Sequence, residues 1–369
     1  MEITNYIVTT LISFTLTVAA SIPFIRFLYK LNIRRISKAE LDSVLPGRSI
    51  KLGTPIMGGA VIVFTIMLFS SIYLYDWEYY PMIMLLVFFG GIFGAIDEYV
   101  NTLGRTLLAI RISKSSENKA YSFLSKSGVV GLAKMAFLPL WRLFEEVLRV
   151  SGGNQKGMQN HNKFLMHVSL ALMVCLYLFF GSHESILVIP WVGSFHLGIF
   201  YYILLAFLLL GFSNAFGITD GMDGLSAGTH AVSFGFYAVL AAHLGYSQIA
   251  TLAFIIVGAE LAFLYFNINP ARMEMSDVGT LPLGMLLVII AVLMQKEVSL
   301  LLIGGIFIVE VFSSVAQQWS VKLTGKRIFL VAPIHHHFEK LGWPETKITM
   351  RFWLISIILG FLGLLVALV

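Results

Sequence analysis

Cysteine is almost absent from this chain of 369 residues: Cys175 is the only one, set in a strongly apolar run. That excludes a disulfide framework, a four-cysteine zinc site and an iron–sulfur cluster, and it makes redox chemistry an unpromising reading. Charge is scarce as well. Only 12% of the residues are Asp, Glu, Lys or Arg, about half of what a soluble domain carries, while 58% are hydrophobic and mean hydropathy is +0.85. A soluble globular enzyme is excluded. The net charge of +5 would point to nucleic acid in a polar chain. In one this apolar, Lys and Arg are first expected to set membrane orientation, and no nucleic-acid partner is expected. No internal repeat at a fixed period stands out, which argues against a transporter built from inverted repeats.

What the sequence has instead is a succession of apolar runs. A spanning helix needs about 20 mostly apolar residues, and ten candidates fit: 5-29, 55-75, 80-100, 164-181, 197-216, 228-245, 248-267, 280-295, 298-320 and 350-369. The expected fold is therefore an all-α integral membrane protein, a bundle of about ten transmembrane helices forming a single polytopic domain over 1-369. The first run has no basic residue ahead of it and is followed by Arg26, Lys30, Arg34 and Arg35, which reads as a signal anchor. Alternating ten spans puts 24 of the 25 Lys and Arg on one side, with only Lys296 opposite. By the positive-inside rule that side is the cytoplasm and both termini lie outside. The segment 101-163 is too long for an ordinary connection. Within it Val129 to Val150 interleaves apolar residues with Lys134, Arg142, Glu145, Glu146 and Arg149, the pattern of an amphipathic helix on the cytoplasmic membrane surface, with an eleventh span as the competing reading.

Charged groups in or beside spans are costly, so each is a functional candidate until a structural partner explains it. The carboxylates collect at the cytoplasmic ends of the expected spans: Asp97 and Glu98 after the third, Asp220 and Asp223 after the fifth, Asp277 after the seventh. Carboxylates with amide and hydroxyl neighbours in Gly-interrupted loops suit Mg²⁺, which takes few hard oxygen ligands and lets substrate phosphates supply the rest. For Asp220 or Asp277 alone, a helix N-cap is an equally good explanation. The loop 321-349 adds Pro333-Ile334-His335-His336-His337-Phe338-Glu339. Three adjacent histidines cannot all face one ligand, so at most two are expected to, and imidazoles suit donation to phosphate oxygens. His167, His230 and His243 stand alone in apolar runs and are expected to bond neighbouring helices. Glu310 and Gln317, with Ser313 and Ser314 between them, form one polar stripe that should face the bundle interior. For Glu310 the preferred reading is adhesion between helices, and Glu260, with no polar companion at helical spacing, is read structurally too.

These residues resemble the polyprenyl-phosphate N-acetylhexosamine-1-phosphate transferases, over nearly the whole chain. The most specific stretch runs from Lys322 to Glu339, continuing to Gly342-Trp343 and Arg351-Phe352-Trp353, and is more similar to the branch with a MurNAc-pentapeptide donor than to relatives using N-acetylglucosamine donors. Lys51 with Gly53-Thr54-Pro55 and Met57-Gly58-Gly59 also fits. The resemblance implies an Mg²⁺-dependent enzyme of the bacterial inner membrane with its site facing the cytoplasm. It would transfer phospho-MurNAc-pentapeptide from UDP-MurNAc-pentapeptide to undecaprenyl phosphate, giving lipid I and UMP. It implies Asp97, Asp220 and His336 as catalytic residues, with Asp97 the base or a positioning acid, and Asp277 and Asn214 at the metal. Lys51, Glu98, Asp223, Lys163, His335 and Gln317 would contact substrate, and a homodimer is an expectation of the same kind. The chain departs from the family pattern at several positions, among them Glu98 in place of the second of paired aspartates, Ile56 in Thr54-Pro55-Ile56-Met57 and an insertion in 101-163; two of the departures bear on the nucleotide. Gly217 replaces an asparagine, and Glu274 replaces the aromatic residue expected to stack on uracil. Alternatives stay open: a related transferase using another UDP-N-acetylhexosamine; a cation or proton transporter, for which only Glu260 and Glu310 lie near a midplane; and an inactive binding paralogue.

Overall fold

The structure, a computed structural model, describes residues 3–35, 53–112, 158, 160–181 and 184–369. It is built almost entirely of helices: α1 (Ile3–Leu31), α2 (Gly59–Tyr73), α3 (Tyr80–Ile112), α4 (Asn160–Phe180), α5 (Ile199–Thr219), α6 (Leu225–Leu244), α7 (Ser247–Asn267), α8 (Asp277–Leu293), α9 (Leu300–Ile303), α10 (Gly305–Thr324), α11 (Ile334–Lys340) and α12 (Glu345–Ala367). A short antiparallel hairpin, β1 (Ile186–Ile189) with β2 (Gly193–His196), joins α4 to α5. Among the described residues seven helices are long and apolar enough to cross a membrane, and an eighth span arises if a bent pair counts as one. The chain is an all-α, multi-pass membrane protein. Two stretches read from sequence as spans form the shorter apolar helices α2 and α8, of 15 and 17 residues. The stretch 298-320 is bent by 76° between Glu297–Ile303 and Gly305–Thr324. The Val129 to Val150 segment lies outside the described residues.

Contacts divide the chain into two compact units, residues 1–95 with 167–369, and residues 96–166. The first is centred on α8, whose residues from Val278 to Leu293 are all buried. A helix apolar on every side has no face to give to lipid or water, and so it takes the middle. Around it α5 packs on α8, α6 on α7, α1 on α7 and α12 on α6. α1 is inside-out relative to a soluble helix. Its buried stripe is Tyr6, Thr9, Ser13, Thr17, Ser21 and Leu28, while Ile3, Ile7, Leu11 and Phe27 are exposed. In lipid the apolar residues gain nothing by going inside, so small hydroxyl residues that allow close approach take the helix interface. Ser13 accordingly donates to the Ile255 carbonyl at 2.7 Å, and Thr17 bonds Thr65 at 2.8 Å.

Two glycines fix the height of α8. A Cβ on Gly59 would lie 2.4 Å from the Gly279 nitrogen, and one on Gly94 would lie 2.3 Å from the carbonyl carbon and oxygen of Asp277. Backbone therefore sits on backbone at the α8 N-terminus, which sets where Asp277 stands. The bend at Gly304 has a comparable origin: a Cβ there would fall 2.4 Å from Phe212 Cε1, so the Phe212 ring fills the break.

Candidate active site

The first unit brings together the α5–α6 turn, the α7–α8 loop and the start of α11. α5 ends at Thr219, and Asp220 caps it through its own N–H, donated to the Phe216 carbonyl at 3.2 Å. The Asp220 side chain reaches across to the α7–α8 loop, where Oδ2 accepts the Ser276 backbone N–H at 3.0 Å. Burial, followed by the nearby Glu274 and Asp277 carboxylates, pushes Asp220 up to about 7, against the opposing pull of the Ser276 N–H and Arg35. Asp277 is the first residue of α8, and the cap residue before it, Ser276, forms no side-chain cap bond. Its Oδ1 accepts from the Thr280 hydroxyl at 3.5 Å, and a Cβ on Gly217 would stand only 3.3 Å from the same oxygen. Asn214 lies one turn before Gly217 on α5, exposed, and its Nδ2 donates to the Leu210 carbonyl.

Asp223 has a different occupation. Its Oδ2 accepts from Asn269 Nδ2 and from the Ala271 N–H, both at 3.0 Å, while its own N–H donates to Glu345 Oε1 at 2.6 Å and its carbonyl accepts from Thr349 at 3.2 Å. It knots the α5–α6 turn to the α7–α8 loop and the start of α12. Gly224, at φ +74°, completes the turn, and its carbonyl accepts the Trp353 indole N–H at 3.0 Å. The left-handed backbone there is open to glycine without strain.

Glu274 is held by an ion pair that the sequence did not announce. Arg35 approaches it at 2.5 Å, both side chains under a fifth exposed (18% and 17%). Main-chain bonds brace the pair: Arg35 N–H to Thr54, Glu274 N–H to Pro55, Gly58 N–H to Glu274 and Gly59 N–H to Met275. In the sequence Arg35 stands in a basic cluster that speaks only for membrane topology. The same charge lies within electrostatic reach of Asp220 and Asp223.

The three histidines part company. His335 Nδ1 lies 2.8 Å from Glu310 Oε2, and His336 Nδ1 lies 2.8 Å from Glu339 Oε2. His337 turns to the preceding loop, where its Nδ1 accepts the Leu330 N–H at 3.1 Å. His335 and His336 line a cavity of about 820 Å³ together with Ile218, Ser314, Gln317, Lys322 and Arg327; His337 does not. Gln317 borders that cavity, but its amide is engaged by the loop before α11: Oε1 accepts from the Ile328 and Phe329 N–H groups and Nε2 donates to the Phe329 carbonyl. It clasps the loop as α10 ends.

In the second unit Lys163 Nζ stands 2.5 Å from Asp97 Oδ2, and Asp97 is buried. Glu98, the next residue, is half-buried. The Met158 N–H donates to Asn101 at 3.2 Å in the same unit. Lys51 lies outside the described residues. Of the histidines set aside as structural, His167 bonds Ser213 at 2.9 Å, and His230 bonds Ser226 at 3.0 Å and Glu260 at 3.2 Å. The partner of Glu260 thus comes from α6, a helix away, where no spacing within α7 could reveal it.

Among the described residues no three His, Cys, Asp or Glu groups converge as a protein-only metal cage. Mg²⁺ does not require one, because it keeps waters and phosphate oxygens and takes one or two carboxylates from the protein. The Asp277 carboxylate beside the gap left by Gly217, with the Asn214 amide a turn away, is a donor set of that kind.

A membrane-embedded helical chain with carboxylates and imidazoles gathered on loops at span ends has the makings of a transferase acting at the bilayer surface, and the sequence of glycosyl transferase family 4 matches residues 154–295. Similar proteins extend the match to the whole chain. A phospho-N-acetylmuramoyl-pentapeptide-transferase of Oceanobacillus iheyensis is 31% identical over 98% of both chains. That of Geobacillus thermodenitrificans is 33% identical over 96% of this chain and 95% of its own. That of Lacticaseibacillus paracasei reaches 39% over 64% of this chain and 73% of its own. The chain belongs to the phospho-N-acetylmuramoyl-pentapeptide transferase family. That membership sets the transporter alternative aside.

Proposed function

We propose that the chain transfers phospho-MurNAc-pentapeptide from UDP-MurNAc-pentapeptide to undecaprenyl phosphate, releasing UMP and leaving lipid I in the membrane for peptidoglycan synthesis. The observation that carries this reading is the near-full-length similarity to transferases of that name. The finer reading has about ten spans in the bacterial inner membrane, both termini outside, the site facing the cytoplasm, and a homodimer as the assembled form. Alternating ten spans would put 24 of the 25 cations on one side, and that bias supports the orientation.

The acceptor is a phosphate monoester with a second pKa near 6, so at pH 7 it is already largely a dianion. An acceptor oxygen attacks the phosphorus that carries the sugar, and the bond from that phosphorus to the bridging oxygen breaks, the oxygen leaving on UMP. Little proton transfer is needed. The difficulty is bringing anionic phosphates together, so positioning and charge neutralisation do most of the work. Asp277 and Asn214 would hold Mg²⁺, which when bound supplies neutralisation of the pyrophosphate. Lys51, His335 and His336 donate to phosphate oxygens. Asp97, tied to Lys163, positions the acceptor, with Glu98 beside it. Asp220 holds the α7–α8 loop through Ser276, so that Asp277 keeps its place. Asp223, committed to Asn269 and Ala271, shapes the donor side by fixing the loop, and Gln317 shapes the wall of the histidine cavity in the same way.

The test is UMP release by the detergent-solubilised protein with Mg²⁺ and with EDTA, comparing wild type and Asp277→Asn. The reading predicts release that stops with EDTA and an Asp277→Asn variant that stays folded but loses at least about a hundredfold in turnover, as expected when a charge-neutralising group is lost. Undiminished release in EDTA would refute the metal assignment.

A further inference from the structure

Glu310 is fully buried in α10, within an apolar span where a carboxylate is costly unless something holds it. What holds it is His335. Oε2 meets the imidazole Nδ1 at 2.8 Å, and Oε1 has no hydrogen-bond partner among the described residues. The contact is fixed in register. Ser313, in the next turn of α10, donates its hydroxyl to the Glu310 carbonyl at 2.7 Å and accepts the N–H of Ile334 at 3.0 Å, so the residue before His335 is pinned to the same turn. On the opposite side, the ring lies against Gly221, where a Cβ would fall 2.4 Å from His335 Nε2. Gly221 sits between Asp220 and Asp223. The imidazole is therefore clamped with Nδ1 toward α10 and Nε2 toward the α5–α6 turn, and it borders the 820 Å³ cavity. The neighbouring His336 is different: its acidic partner is Glu339 of its own helix, three residues on. The two rings lie 4.0 Å apart, centroid to centroid.

We propose that Glu310 is a positioning residue for the transfer reaction, acting through His335: its carboxylate fixes the tautomer and orientation of the ring and favours a proton on it, so that a fixed, positively charged ring stands in the wall of the cavity toward substrate phosphate. A carboxylate behind an imidazole does this by accepting the Nδ1–H and stabilising positive charge on the ring. The proposal rests on the reading above that His335 contacts substrate. A purely adhesive Glu310 would hold α11 on α10 and have no effect on turnover beyond its effect on folding.

Glu310→Gln separates the two, because the amide oxygen can still accept the Nδ1–H while the charge is gone. In UMP release, Glu310→Gln is expected to lower kcat by about tenfold or more, the usual cost of losing an outer-shell partner, with the donor KM and the thermal midpoint unchanged. Glu310→Gln combined with His335→Asn is expected to be no slower than His335→Asn alone, since residues acting through one another are not additive. The ¹⁵N signals of the His335 ring should move in Glu310→Gln. Wild-type kcat in a folded Glu310→Gln variant, or losses that multiply in the double variant, would overturn the proposal. Wild-type kcat in His335→Asn would instead remove His335 from the site, and the positioning role with it, a different failure from the first.

Discussion

Asp220 Oδ2 accepts the backbone N–H of Ser276 at 3.0 Å, and this bond joins the end of α5 to the residue that immediately precedes Asp277. The carboxylate of one loop thus sets the height of the carboxylate on the other. Because burial and the neighbouring Glu274 and Asp277 raise Asp220 to about 7 from 3.8, the folded chain holds a proton that the unfolded chain has released over that interval. Its contribution to stability is complete below about pH 4 and is lost as pH rises through 7. In EDTA the thermal midpoint should therefore fall between pH 5 and 8, by the equivalent of about 1–3 kcal/mol, and Asp220→Asn should flatten the fall. An unchanged slope in the variant would contradict the assignment.

Gly217 leaves the gap beside Asp277 Oδ1. A methyl group there stands at 3.3 Å from that oxygen, tight enough to crowd a ligand but not to displace a helix. Gly217→Ala should express and fold normally and need several-fold more Mg²⁺ for half-maximal UMP release. Titration of Mg²⁺ against initial rate checks it, and an unshifted midpoint argues against metal at Asp277.

Gly94→Ala should behave otherwise, because its methyl group would meet the Asp277 backbone at 2.3 Å rather than a side chain that can turn. Overpacking of that kind costs about 1–3 kcal/mol or more. A lowered thermal midpoint together with lost activity is expected, measured by scanning fluorimetry alongside UMP release.

Arg35→Ala strips the cation from a cluster that also holds Glu274, Asp220 and Asp223. Removing one partner of a largely buried pair costs more than removing both. Arg35→Ala should lower the thermal midpoint more than Glu274→Gln does, and the double variant should recover part of the loss. Additive losses would show that the pair is not coupled.

Much of the fold could be read from the sequence. Every described helix of span length falls on an apolar run, because a bilayer imposes length and composition directly. The bend at Gly304 could not be read, since the run from 298 to 320 reads as one span with a polar stripe and the break is filled by a Phe212 ring on another helix. The same limit applied to the site. Asp220, Asp277, His335 and His336 stood out as polar groups at span ends, where charge is conspicuous. Their partners did not: Arg35 is 239 residues from Glu274, and Glu310 is 25 from His335. The backbone amides that Asp223 and Gln317 bond, those of Ala271, Ile328 and Phe329, could not be read from the sequence either.

The donor decides the function. Purified protein given undecaprenyl phosphate, Mg²⁺ and either UDP-MurNAc-pentapeptide or UDP-N-acetylglucosamine should release UMP with the first only, and mass spectrometry of the lipid fraction should find lipid I. UMP released with UDP-N-acetylglucosamine and not with the pentapeptide donor would contradict the account and assign Glu274 and Gly217 to a different specificity.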